Sequence, residues 1–291
     1  MKTNNLYLVV AAVALGLSSN AMALTFTDGG FTGGVDIGGD VTVPQAVNHW
    51  QWAAGDAISF ASSPATQMTN AYKTLTLPAA SNLPLLVGQT SAATAGNPGN
   101  VGLSPQIAFT DAAGATVTPV WDTTGNTGKG NITLPVTAAD GTTALGSMTM
   151  RVKVGAVRAA QSIPTPSLLY SYYSSDSATV LFGHAAQPLA ANGALPTGTI
   201  AAQWNTDLGA KTVTDLRDQL SAASGVTITT WNADATANAS AGGAFDRPDS
   251  YYSGTYGLGI AQGDSLTVNF NNPVTVTTQW KSALKAIVTH L

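Results

Sequence analysis

Phe31-Thr32-Gly33-Gly34-Val35-Asp36-Ile37-Gly38-Gly39-Asp40-Val41 is the stretch on which the reading of this chain turns. One face carries Phe31, Gly33, Val35, Ile37, Gly39 and Val41; the other carries Thr32, Gly34, Asp36, Gly38 and Asp40. Alternation with period two marks an extended strand with one buried face. Yet four of the eleven residues are glycine, which loses the most backbone freedom on ordering and holds a strand poorly by itself. Two structures satisfy the pattern: an ordinary Gly-rich first strand, and an arm that becomes a strand only when it docks into a partner groove.

Upstream of this stretch, Lys2 is followed by an apolar run over 6–17 and then by Ala21-Met22-Ala23. A charged start, a short apolar run and an A-x-A site make an export signal, with cleavage expected after Ala23. The run is too short and too poorly flanked for a membrane span. The expected organisation is a signal peptide at 1–23, an arm at 24–43 and a domain at 44–291.

Composition points to β structure. Charged residues are 9% of the chain, far below the roughly 25% of an average soluble domain. Every acid is an aspartate, and Thr, Val, Ala, Gly and Asn dominate instead. Glu and Lys favour exposed helices and are depleted in strands, so their scarcity favours short strands joined by turns. The net charge of −4 and pI near 5.1 argue against nucleic acid as a partner. The chain has no cysteine, which excludes disulfides and thiolate metal sites. Stability must then come from packing or from assembly with other chains.

Short alternating strands fill 24–150 and 251–291. Examples are Gln106-Ile107-Ala108-Phe109 before Asp111, the run Met148-Thr149-Met150-Arg151-Val152-Lys153-Val154, and Leu266-Thr267-Val268-Asn269-Phe270 before Asn271-Asn272-Pro273. The stretch 155–250 is looser and holds Tyr170-Ser171-Tyr172-Tyr173. It also holds the clearest helix, predicted over 212–223. Val213, Leu216 and Leu220 share a face there, Thr212 and Asp215 serve the start, and Gly225 follows the end. The pattern is a β-sandwich carrying an irregular insertion.

Several motifs resemble the FaeG-like major adhesive fimbrial subunits of enterotoxigenic Escherichia coli, in the expected order. They are Phe31-Thr32-Gly33-Gly34-Val35-Asp36-Ile37-Gly38-Gly39, His49-Trp50-Gln51-Trp52 and Pro105-Gln106-Ile107-Ala108-Phe109-Thr110-Asp111. At the far end stand Leu258-Gly259-Ile260-Ala261-Gln262-Gly263 and Thr275-Val276-Thr277-Thr278-Gln279-Trp280. The resemblance covers 31–155 and 251–291. It implies an all-β, incomplete immunoglobulin-like sandwich that lacks its last strand, with an α/β insertion subdomain at about 155–250. It also implies chaperone–usher assembly, in which the arm of the next subunit supplies the missing strand. The partners implied are copies of the chain itself, a periplasmic chaperone, an outer-membrane usher and a host-cell glycan. The location implied is a cell-surface fimbrium reached through the periplasm.

Under that resemblance Phe31, Val35, Ile37 and Val41 are knobs entering a neighbour's groove, with Gly33 where the groove is too shallow for a side chain. Main-chain bonds supply affinity and pockets set the register. Four large apolar knobs contribute roughly 6–12 kcal/mol before ordering costs. The acceptor and chaperone-pairing strand is expected at 282–291. Leu284, Ala286 and Val288 lie on one face, and Ala283, Ile287 and Leu291 on the other. His290-Leu291 stands where the family often ends on an aromatic pair.

Two motifs invite enzymatic readings. Gly263-Asp264-Ser265-Leu266 spells the serine block of the GDSL esterases, but no Asp-x-x-His pair follows it. A nucleophilic serine needs an oriented base, and the histidines are only His49, His184 and His290. The expected structure is a turn leading into a strand. Gly125-Asn126-Thr127-Gly128-Lys129-Gly130 lacks the first glycine and the hydroxyl residue of a phosphate loop and also reads as a turn. No catalytic residue, metal ligand or cofactor is assigned.

Sugars are held by an aromatic face and a few oriented polar groups. Tyr172, Tyr173, Trp204 and Trp231 are the candidate ligand residues in the insertion, beside Tyr170; Asp176, Asn205 and Asp207 are candidate polar partners. The leading function is a polymerising, glycan-binding fimbrial subunit. The alternatives are a minor subunit of the same fimbria, and a secreted hydrolase or lectin on a β-sandwich.

Overall fold

A computed structural model describes residues 49–60, 63–98, 102–239 and 245–290. The predicted signal, the arm and its five named positions (Phe31, Gly33, Val35, Ile37 and Val41) lie outside the described residues, as does Leu291.

The strands follow the alternation of the sequence. They are β1 (Trp50–Ala54), β2 (Thr74–Pro78), β3 (Leu83–Thr90), β4 (Thr94–Ala95), β5 (Pro105–Thr110), β6 (Thr116–Val117), β7 (Val120–Trp121) and β8 (Lys129–Ala138). There follow β9 (Ala144–Ser162), β10 (Ser167–Tyr173), helices α1 (Gly198–Asp207) and α2 (Val213–Ser224), and β11 (Ala233–Asn238). The chain closes with β12 (Ser250–Ile260), β13 (Ser265–Phe270), β14 (Trp280–Lys281) and β15 (Lys285–His290). This is the all-β sandwich expected from the sequence.

The larger sheet runs β1–β3–β12–β9–β10–β11, and the second is β15–β5–β6. The long strand β9 organises the first. Its later half pairs β12 from Lys153↔Gly259 to Ser162↔Ser250, and its earlier half pairs β13 from Gly146↔Phe270 to Met150↔Leu266. Ala261 to Asp264 interrupt that antiparallel run as a turn, with Gly263 at φ 85° and Asp264 N–H donating to Ala261 O at 3.0 Å. Gly263-Asp264-Ser265-Leu266 is therefore a turn and a strand start. Gly125, Asn126 and Gly128 are left-handed in the turn before β8. That turn is stitched to the backbone of Asn192 and Gly193.

One core lies between the two sheets. Ile107 and Phe109 of β5 share a buried cluster with Trp50, Leu86, Tyr256 and Leu258. A second core lies between the outer face of the large sheet and the helices, with Val157, Leu169, Trp204, Leu216 and Leu220. Being covered on both faces, β9 is buried without a break from Val154 to Gln161. Apart from Arg158 and Gln161 its sequence there is small and apolar rather than alternating, as burial on both faces favours. Helix α2 matches the predicted one, with a capping box between Thr212 and Asp215 and a left-handed Gly225 after it. Helix α1 packs onto the sheet at two glycines. A Cβ on Gly155 or on Gly257 would stand 2.4 Å from Asn205 Oδ1.

The stretch 155–250 shares this architecture. Residues 155–162 belong to β9, while β10 and β11 extend the large sheet at its edge. The chain from Gln45 to Leu291 forms one compact unit.

Candidate functional site: a terminal strand with one open edge

Strand β15 pairs β5 antiparallel over its whole length, from Lys285↔Thr110 to His290↔Pro105. Among the described residues nothing pairs its other edge. The sequence makes this strand apolar, yet little of it is covered. Ala286 is exposed, Ile287 is 51% exposed, and Val288 is half-buried. Leu284 lies just before the strand and, with Val288, packs against the main core. An edge strand with free N–H and C=O groups and uncovered apolar side chains is a template for another strand. Within the expected stretch 282–291 the described strand is β15, with Ala286 and Ile287 open to solvent.

His290 ends the strand. Its Nε2 is buried with no hydrogen-bond partner among the described residues. Burial lowers its pKa below the usual 6.5.

The edge of β5 opposite β15 is also occupied. Phe182 N–H donates to Pro105 O at 2.7 Å, and Ile107 N–H donates to Phe182 O at 3.1 Å. Phe182 is fully buried and stacks edge-on to Trp50, with ring centroids 5.5 Å apart. Sequence reasoning missed this contact. The local signal was the apolar run Val180-Leu181-Phe182 after the polar stretch Ser174 to Thr179.

The candidate ligand residues separate into two pairs. Tyr172 is 2% exposed and Trp204 is 3% exposed, so neither offers a face to a sugar. This corrects their reading as ligand groups, and the cause is the extended sheet. On β10, Tyr170 and Tyr172 point into the main core while Leu169 points to the helices. Tyr172 lies 5.3 Å from the Arg158 guanidinium, and burial pushes its hydroxyl up to about 12. Trp204 Nε1 donates to Gly257 O at 3.1 Å, and Lys153 Nζ stands 4.6 Å from the indole centroid. Desolvation lowers the Lys153 pKa. Asn205 is equally committed, with Nδ2 donating to Thr255 Oγ1 at 2.9 Å.

Tyr173 and Trp231 remain half-buried. Asp176 is exposed and caps its own turn through Ala178 N–H, and Asp207 accepts from Gln203 Nε2. Among the described residues no group of three or more His, Cys, Asp or Glu could hold a metal ion.

The family model described as "Fimbrial, major and minor subunit" matches residues 1–291. The chain belongs to this family. K88 fimbrial proteins AB and AD of Escherichia coli are each 30% identical to it over 300 aligned residues, covering 100% of both chains. K88 fimbrial protein AC is 29% identical over 301 residues, again at full coverage. The match includes 155–250, where the motif resemblance was thinnest. As a member of a fimbrial subunit family the chain is a fimbrial protein of the cell surface, and the family is not an enzyme family.

Proposed function

We propose that this chain is a structural and adhesive fimbrial subunit that polymerises by donor-strand complementation. The arm at 24–43 of one copy adds to the open edge of β15 in the next, placing Phe31, Val35, Ile37 and Val41 on the face of Leu284, Ala286 and Val288, with Ile287 on the other face. The contact is heterologous and does not close, so it propagates a fibre. The observation that carries this reading is β15 itself: an apolar strand paired on one edge only among the described residues, in a member of a fimbrial subunit family. Before assembly the same edge would be held by a periplasmic chaperone, with delivery through an outer-membrane usher.

The adhesive partner is a host-cell glycan held in the 155–250 region. Burial of Tyr172 and Trp204 leaves Tyr173 and Trp231 as the aromatic groups able to touch it. Many copies along a fibre would raise weak single-site affinity by avidity.

Electrophoresis of surface extract tests the assembly. Unboiled material should run as a ladder of multimers that collapses to one band on boiling. A chain lacking 24–41 should still fold with its chaperone and never enter the ladder as the incoming subunit. Normal fibre growth from the truncated chain alone would refute the reading.

A further inference from the structure

The segment 180–187 lies inside the stretch read as an insertion, yet it enters the sandwich. Leu181, Phe182 and Ala186 are fully buried. Besides the two backbone bonds between Phe182 and β5, three side chains of the sandwich hold it. Gln106 Nε2 donates to Val180 O at 2.7 Å, Trp121 Nε1 to Ala185 O at 2.9 Å, and the Tyr256 hydroxyl to Ala186 O at 2.8 Å. Phe182 has φ 65° and Gly183 has φ 82°. A left-handed backbone is costly for a bulky aromatic and persists only where its surroundings over-determine it.

Strand β5 connects this strained segment to the assembly edge. On one side it carries β15; on the other it carries β6 and the bridge from Gln106 to Phe182. With its second edge open and Ile287 exposed, β15 has β5 as its one strand partner among the described residues. The backbone of Phe182 is held by β5, through Pro105 O and Ile107 N–H, and its ring by Trp50 and Tyr256.

We propose that Phe182 is a latch that couples occupancy of the β15 edge to the order of 180–187, and so to the insertion. The inference rests on the reading that a strand from a second copy adds to β15. Ordering β15 from its open side orders β5, and β5 then holds the left-handed Phe182 more firmly. Coupling is reciprocal, so loosening the latch weakens strand addition by the same factor.

Hydrogen exchange read by mass spectrometry on the full chain, with and without an excess of a synthetic peptide of residues 24–43, tests this. Exchange should slow at 285–290 and also at 180–187, the latter by about fivefold or more. In Gln106→Ala the gain at 180–187 should shrink while 285–290 still responds, and the peptide should bind more weakly. Phe182→Gly removes the strain and the ring together, and should abolish the gain at 180–187. Slowing at 285–290 with 180–187 unchanged overturns the latch and leaves strand addition standing. An undiminished response at 180–187 in Gln106→Ala overturns the route through β5. Absence of slowing at 285–290 overturns strand addition and the latch with it.

Discussion

Tyr173 and Tyr172 are neighbours with opposite prospects, because a strand turns successive side chains to opposite faces. Tyr172 is enclosed with Arg158 and Tyr252, whereas Tyr173 keeps solvent access. Tyr172→Ala and Trp204→Ala should each cost about 3–5 kcal/mol as large core truncations, lowering the melting temperature and the fibre yield together. Tyr173→Ala and Trp231→Ala should leave fibre yield intact, and at least one should reduce adhesion of assembled fibres to cells. If both keep full adhesion, the glycan contact lies elsewhere. His290 gives a pH signature. Burial depresses its pKa, so the unfolded chain binds a proton more readily than the folded one. Its contribution to stability is complete above about pH 6.5 and falls as the pH drops below that value and through the lowered one. Denaturant melts between pH 7 and pH 5 should show a loss that His290→Gln removes. An identical loss in the variant would assign the effect to other groups.

At the scale of elements, α2 was legible and α1 was not. Helix α2 announces itself through Thr212, Asp215 and Gly225, and through Leu216 and Leu220, which are fully buried on one face. Thr212→Ala should cost about 1 kcal/mol by loss of the cap, readable as a small fall in thermal midpoint. Helix α1 starts Gly-Thr-Ile and ends Asn-Thr-Asp, residues of modest helix propensity. Its helicity comes from tertiary packing of Ala201, Ala202, Trp204 and Asn205 on the sheet, which a local pattern does not encode. The sheet prepares that contact with Gly155 and Gly257. Gly155→Ala would set a Cβ 2.4 Å from Asn205 Oδ1 and 2.6 Å from Ala201 O. It should cost about 1–3 kcal/mol by overpacking, and a variant as stable as the parent would mean that α1 shifts freely. The same distinction governs the site. The apolar pattern over 282–291 made the existence of strand β15 legible, because edge and core strands share a period. The burial of Tyr172 and the entry of Phe182 into the sandwich depended on partners far away in sequence, so aromatic composition alone misread the first and passed over the second.

At the scale of the whole molecule the question is what covers the free edge of β15. The large sheet is covered on both faces, by the second sheet and by the helices, and its cores are closed. The second sheet ends at β15, where Ile287 is 51% exposed and the outer edge has no partner among the described residues. A chain without cysteine cannot brace that edge with a disulfide, and under the proposed function a strand of another copy covers it. A second copy of residues 24–41, joined behind Leu291 through a short flexible linker, supplies it within one chain. The fused arm acts at a high effective concentration. A strand that binds only the folded state raises its stability by mass action. The fusion should therefore be a soluble monomer with a higher melting temperature than the chain lacking 24–41, and with an Ile287 region protected from hydrogen exchange. Replacing Val35 and Ile37 by Asp in the fused copy alone should return the melting temperature to that of the truncated chain, since the knobs rather than the linker supply the gain. A truncated chain that is already monomeric and melts as high as the fusion would mean that the edge of β15 needs no completion.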